Sequence, residues 1–147
     1  MRTKVIGDRW MIKITGRYKE MIPEDQLRRL YEDCGWITYT CDMAMLKRAL
    51  ANSLYVVTAW HNEELIGIIR VVGDGETILF LQDLIVMKAH RRHKIATEMV
   101  EKVIKHYPNV RQKVLLADDT DNIRGFYEEV GFMACDQGDL VAFVRFD

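Results

Sequence analysis

Two apolar periods take turns along the chain, one of about two residues and one of about 3.6, and their order predicts the fold. Trp10 to Thr15 (WMIKIT) reads as a first strand. Pro23 opens a helix with Leu27, Leu30, Tyr31 and Cys34 on one face, and Gly35 closes it. Residues 35–40 read as a loop. Asp42 is placed to cap a second helix carrying Met43, Leu46, Leu50 and Ser53. Three β-rich runs follow, Tyr55 to Trp60, Leu65 to Val72 and Thr77 to Val86. The turns between them are at His61-Asn62-Glu63-Glu64 and Gly73-Asp74-Gly75.

Ile95 to His106 then carries Ala96, Met99, Val100, Val103, Ile104 and Tyr107 at i, i+3, i+4, i+7 spacing, and Pro108 ends it. Val114 to Ala117 is a short strand. Asn122 to Val130 is a helix with Ile123, Phe126, Tyr127 and Val130 on one face and Gly131 behind it. Leu140 to Phe146 reads as a last strand, with Phe132 to Cys135 as its candidate partner. The order β-α-α-β-β-β-α-β-α-β-β is that of an α+β fold, a mixed, mostly antiparallel sheet flanked by helices. The unit from Thr77 to Ala117 should cross over right-handed, so its two strands should be parallel.

Composition narrows the class. A chain of 147 residues is one domain's worth, read as a single domain over 1–147. It is 49% apolar and 29% charged, with a formal net charge of −1. That balance argues against wholesale binding to nucleic acid or to an anionic membrane. Cys34, Cys41 and Cys135 are odd in number and form no CxxC pair, so reduced thiols packed as small hydrophobes are expected, with no metal site. No run of eighteen apolar residues and no apolar leader segment occurs, which makes the expected location cytoplasmic. His61 and His106 are expected at the surface.

The richest stretch is Leu84-Ile85-Val86-Met87-Lys88-Ala89-His90-Arg91-Arg92-His93-Lys94-Ile95-Ala96. An apolar strand runs into a basic turn, and the turn opens a helix. A helix N-terminus has unsatisfied N–H groups and a positive dipole end. Five basic residues from His90 to Lys94 oppose that dipole, an arrangement that costs stability unless an anion is expected. A phosphate or pyrophosphate site fits; a solvated charged turn and a helix for a nucleic-acid groove are the alternatives.

At this point the sequence resembles the GCN5-related N-acetyltransferase (GNAT) family. The family pattern is a strand with valine, four residues, then Q/R-x-x-G-x-G/A. Here Val86 precedes Arg91-Arg92-His93-Lys94-Ile95-Ala96, with Lys94 where the family usually has glycine. A second block, Phe126-Tyr127-Glu128-Glu129-Val130-Gly131-Phe132, matches the family's F-Y-x-x-x-G-F, although Asn122 stands closer to it than the family asparagine does. Asp121 and Asn122 are also candidate helix caps. A looser resemblance through Gly35-Trp36, Tyr39-Thr40, Val71 to Gly75 and Gln82 to Val86 points to one subgroup. It holds uncharacterised bacterial members and resembles plant-type arylalkylamine acetyltransferases.

The resemblance implies transfer of an acetyl group from acetyl-CoA to a primary amine by direct attack, with CoA as product. Leu84, Ile85 and Val86 would line the pantetheine and acetyl group, and backbone N–H groups there would stabilise the oxyanion. Arg91, Arg92, His93, Lys94, Ile95, Ala96 and Thr97 would hold the pyrophosphate, the Lys94 arm reaching a phosphate. Asn122 and Phe126 join the cofactor site, and Tyr127 would be the general acid for the departing thiolate. Asp83 is the nearest strand carboxylate, a candidate base or else a structural carboxylate paired with an arginine or loop amide. Trp36 and Tyr39 are candidate walls of the acceptor pocket, or core residues. The partner is a small-molecule primary amine; members often dimerise, so a homodimer is one state open to this chain. A CoA-binding protein without catalysis and a nucleic-acid-binding module remain as alternatives.

Overall fold

The computed structural model describes residues 12–17 and 22–147. Trp10 and Met11 of the expected first strand lie outside the described residues. The chain divides into two compact units, Met1–Leu115 and Leu116–Asp147.

In the first unit the apolar periods become elements with little change. β1 spans Ile12–Arg17 and α1 spans Glu24–Asp33. Pro23 stands at the N-cap of α1, and Gly35 follows with φ +80°, a left-handed turn that glycine adopts freely. The expected loop at 35–40 instead contains a one-turn helix, α2, Ile37–Thr40. Its Thr40 hydroxyl donates to the Ile37 carbonyl, giving a short polar segment a local bond that its sequence does not advertise. α3 spans Met43–Ala51, and the Asp42 carboxylate caps it by accepting from the Met45 N–H at 2.9 Å.

β2 (Tyr55–His61), β3 (Glu64–Gly73) and β4 (Ile78–Val86) form the antiparallel meander. α4 spans Ile95–His106, as its stripe predicts, and β5 spans Gln112–Leu115. The five strands stand in the order β1-β2-β3-β4-β5, with β5 parallel to β4. On one face of the sheet, Leu27, Leu30 and Tyr31 of α1 and Met43 and Leu46 of α3 pack with Val56, Leu65, Ile68 and Ile85. Burying one such aliphatic side chain stabilises by roughly 1.5–3 kcal/mol. Gly67, next to Ile68, faces the other side, where a Cβ would meet Met99 of α4 at 3.1 Å. Helices therefore cover both faces.

In the second unit α5 spans Asp121–Glu129, and a 3₁₀ turn spans Cys135–Gln137. The expected strands Phe132 to Cys135 and Leu140 to Phe146 are not formed. All strand pairs among the described residues lie within β1–β5. Leu140, Val141, Phe143, Val144 and Phe146 are exposed, Phe143 by 90%. Alternating apolar residues supply β-propensity, but a strand exists only where its backbone pairs with another, and residues 139–147 form no such pairing. Cys34 is half-buried, whereas Cys41 and Cys135 are exposed rather than packed; all three are free thiols. No helix among the described residues is long and apolar enough to cross a membrane.

The β3–β4 turn depends on Gly73 and on Asp74, which accepts hydrogen bonds from the N–H groups of Glu76, Thr77 and Ile78 and from the Thr77 hydroxyl. Those bonds hold the Asp74 carboxyl well below the usual range. Gly73 has φ +141°, and a Cβ on it would overlap the Ile78 carbonyl oxygen. Gly73→Ala is expected to destabilise the protein by roughly 2–3 kcal/mol in urea unfolding.

Candidate functional site

β4 outruns its parallel neighbour. Its pairing with β5 stops at Leu81↔Leu115, while its pairing with β3 continues to Gly67↔Val86. From Gln82 to Val86, one edge of β4 therefore has no β5 partner. A bulge in the β3–β4 register falls at this point, between Arg70 and Val71. Ile85 is buried in the core, whereas Leu84 and Val86 are half-buried.

The strand ends in a short 3₁₀ turn, Lys88–His90, that is tied down twice. The Met87 N–H donates to the Ile66 carbonyl at 2.8 Å, and the Lys88 N–H donates to the Asp33 carboxylate at 2.8 Å. The Arg91 guanidinium reaches back to the Val86 carbonyl at 3.2 Å. Two non-glycine residues of the basic turn then take left-handed backbone, Arg92 with φ 68° and Lys94 with φ 60°. Lys94 thus has the conformation that a glycine would take at that position.

Lys94 is the N-cap of α4, and the first helical bond runs from the Glu98 N–H to the Lys94 carbonyl at 3.0 Å. The N–H groups of Ile95, Ala96 and Thr97 precede it and have no carbonyl to reach within the helix. Arg91, Arg92 and Lys94 are exposed around them, and His93 is half-buried. N–H groups, dipole and cations converge in a cradle suited to a pyrophosphate.

Asp83 lies on the α1 side of the sheet, its side chain 0% exposed. Directly opposite it on β3 is Arg70, 7% exposed, whose Nε meets the Asp83 carboxylate at 2.7 Å. Tyr31 of α1 donates its hydroxyl to the same carboxylate at 2.8 Å, and Tyr39 of α2 does so at 3.2 Å. Burial, then the Asp83 charge and hydrogen bond, push the Tyr31 phenol well up, so it stays a proton donor. Burial opposes charge on Arg70, but the bond to Asp83 and its charge outweigh this and raise the guanidinium's pKa.

Gln82 donates to the Tyr39 oxygen at 3.2 Å and carries the cluster to the surface. Trp36 closes it, with ring centroids 6.2 Å from Tyr31 and 6.1 Å from Tyr39. Trp36 and Tyr39 are both half-buried against the core. Sequence reasoning named Asp83, Trp36 and Tyr39 but missed Arg70 and gave Tyr31 only a packing role. The signal for Arg70 was present: one arginine and one aspartate inside two mostly apolar strands about a tight turn.

In the second unit, Thr120 caps α5, its hydroxyl accepting from the Ile123 N–H; neither Asp121 nor Asn122 does so. Asn122 is exposed, and Phe126 is half-buried. Tyr127 is half-buried between Phe126 and Phe132, with centroids 5.0 and 5.9 Å away, and burial raises its phenol pKa. Arg124, which sequence reasoning passed over, ties Asp119 to Asp136 across this unit.

A mixed sheet whose fourth strand outruns its parallel neighbour and delivers a basic helix N-terminus has the architecture of an acetyltransferase-type fold. Residues 31–146 match the family described as Acetyltransferase (GNAT) domain, and the chain belongs to it. None of the curated proteins matches the chain. Among solved structures it is similar to a GNAT-family acetyltransferase of Streptococcus pneumoniae, at 28% identity over 93% of this chain and 98% of that one, TM-score 0.82. An aminoglycoside acetyltransferase from an uncultured soil metagenomic sample, in complex with sisomicin, shares the fold at 19% identity, covering 93% and 96%, TM-score 0.73. So does aminoglycoside N-acetyltransferase AAC(6')-Iy in complex with CoA, at 16% identity, covering 92% and 94%, TM-score 0.67.

Removing one partner of a buried ion pair leaves the other charge uncompensated. Asp83→Ala is expected to cost about 3–5 kcal/mol in chemical denaturation. Asp83→Asn, which keeps the shape and part of the hydrogen bonding, should cost distinctly less.

Proposed function

We propose that this protein moves an acetyl group from acetyl-CoA to a small primary amine. The observation that carries the reading is the turn from Arg91 to Thr97, where Lys94 accepts left-handed backbone and the α4 N–H groups stand among exposed cations. A pyrophosphate would offset the clash between those cations and the helix dipole. Acetyl-CoA supplies an acyl group on a good leaving thiol. The unpartnered edge of β4 at Leu84, Ile85 and Val86 is where main-chain donors would receive the thioester carbonyl. Since the Ile85 side chain is buried, Ile85 would serve through its backbone.

In the reaction an N–C bond forms as the C–S bond breaks; the amine gives up a proton, and the departing sulfur takes one. Tyr127 is our candidate donor of that second proton, because a phenol is protonated at neutral pH and burial raises this one further, so it would give up its proton only to a strong base such as a departing thiolate. Phe126 and Asn122 are candidates for the cofactor set on the family pattern they resemble in the sequence. We assign Asp83 to positioning: with Arg70, Tyr31 and Tyr39 on it, its carboxylate fixes the aromatic wall of Trp36 and Tyr39. Were it the base, the amine's proton would reach it through the Tyr39 hydroxyl. An acceptor with an apolar or cationic body suits such a wall, and the sisomicin complex of a fold relative favours a small-molecule amine.

Calorimetric titration with acetyl-CoA separates the roles. Arg91→Ala should weaken binding by about tenfold or more. Tyr127→Phe should keep the affinity and lower kcat on an accepted amine by about a hundredfold. Lys94→Gly should stabilise the fold by about 0.5–1 kcal/mol through relief of left-handed strain. It should also weaken acetyl-CoA binding if the Lys94 arm holds a phosphate. Absence of acetyl-CoA binding to the wild type would overturn the reading.

A further inference from the structure

At the tip of the β2–β3 hairpin, away from the Asp83 cluster, three metal-ligating side chains converge. His61 ends β2, and Glu64 begins β3. The two are register partners across the two-residue turn Asn62-Glu63, so their side chains stand on one face. His90, the last residue of the 3₁₀ turn Lys88–His90, brings a second imidazole, its ring centroid 5.3 Å from that of His61. One ligand atom from each of His61, Glu64 and His90 lies within 4.8 Å of the other two. All three residues are half-buried.

Two further features distinguish this cluster from a chance meeting of surface groups. The Nε2 atom of His61 is shut off from solvent and has no hydrogen-bond partner among the described residues. A buried polar atom without a partner costs free energy and is uncommon in native proteins. The scaffold is also already fixed. Gln26 of α1 accepts from the Leu65 N–H at 3.0 Å and donates to the Glu63 carbonyl at 3.3 Å, pinning the hairpin. The Met87 and Lys88 N–H bonds hold the turn that carries His90. Arg29 pairs with one oxygen of Glu64 at 3.2 Å, which orients the carboxylate and leaves its second oxygen free to coordinate.

We propose that His61, Glu64 and His90 form a binding site for a divalent transition-metal ion of the zinc type. Two imidazoles and one carboxylate are a ligand set suited to zinc, nickel or copper, and one that magnesium and calcium do not favour. Ligands at about 2.0–2.2 Å from a tetrahedral zinc lie about 3.3 Å apart. The cluster would therefore have to draw in slightly to close on an ion. Three protein ligands leave a fourth position for water or a small anion. The ion would sit one residue before Arg91, fixing the start of the basic turn. The site stands independently of the reading of the protein as an acetyltransferase.

The test is titration of the purified, metal-stripped full chain with Zn²⁺ by calorimetry, and with Co²⁺ by visible absorption. One equivalent should bind, with a cobalt spectrum of nitrogen and oxygen ligation and no thiolate charge-transfer band. His61→Ala and His90→Ala should each weaken binding by at least about tenfold, and Glu64→Gln by a smaller factor. His106→Ala, whose ring stacks on Tyr55 elsewhere, should bind as the wild type does. If His61→Ala does not fold, His90→Asn carries the test, because it alters only the surface turn. No stoichiometric binding, a thiolate band, or affinity undiminished in the His90 variants would each overturn the proposal.

Discussion

The ion pair between Arg70 and Asp83 is the constraint on which the site side of the sheet depends. Taking two charges out of water costs several kcal/mol each, and their attraction repays this only when the remaining donors and lone pairs are also satisfied. Here they are: Tyr31 and Tyr39 supply the further donors that the carboxylate needs. The pair therefore requires α1 and α2 to be where they are, since each helix contributes one phenol. An apolar pair of equal volume would pack as well, but it would not specify which tyrosine faces which strand. The bulge beside Arg70 belongs to the same arrangement, because it sets Asp83 opposite Arg70 and leaves Gln82 exposed beside Tyr39.

From that anchored pair, β4 continues past the end of β5 to the basic turn. A strand whose edge is unpartnered for five residues is ordinarily a liability. In this chain the stretch is short, lies between β3 and the turn, and ends in a segment tied to α1 through Asp33 and to β3 through Ile66. The position of Arg91 to Lys94 therefore follows from packing in the core, with Ile85 and Ile95 buried on either side. A turn placed in this way needs no ligand to order it.

How much of this was legible in the sequence depended on how local the governing physics is. The α4 stripe, the Asp42 cap and the β2–β3–β4 meander are set by residues close in sequence, and they were readable to within a residue or two. The parallel β4–β5 pairing followed from the handedness of a crossover. What escaped was either non-local or set by a single local hydrogen bond that carries no periodicity. α2 forms in a stretch without helical periodicity. The Arg70–Asp83 contact joins two strands through a register that a bulge shifts. Residues 140–146 have strand periodicity but form no strand pairing. The hydroxyl of Thr120 caps α5 ahead of the two residues whose type suggested capping. His61 was assigned to the surface from its turn neighbours, yet its Nε2 is covered, and His90 comes from a distant segment to lie beside its ring.

The basic turn breaks two local rules at once and leaves a third need unmet. Cations sit at the positive end of a helix dipole, two side-chain-bearing residues occupy left-handed backbone, and the N-cap residue Lys94 offers no side-chain hydrogen bond to the helix N–H groups. Each feature alone costs free energy and occurs by accident in many proteins. Their coincidence over seven residues is harder to attribute to accident, because strain persists only where the surroundings impose it and something offsets it. A pyrophosphate would offset all three together: it neutralises the cations, accepts from the N–H groups and opposes the dipole. Glycine at Lys94 would relieve only the backbone term and would remove one of the charges. A lysine there gives up backbone ease in exchange for a longer-reaching cation, an exchange that a bound anion would offset.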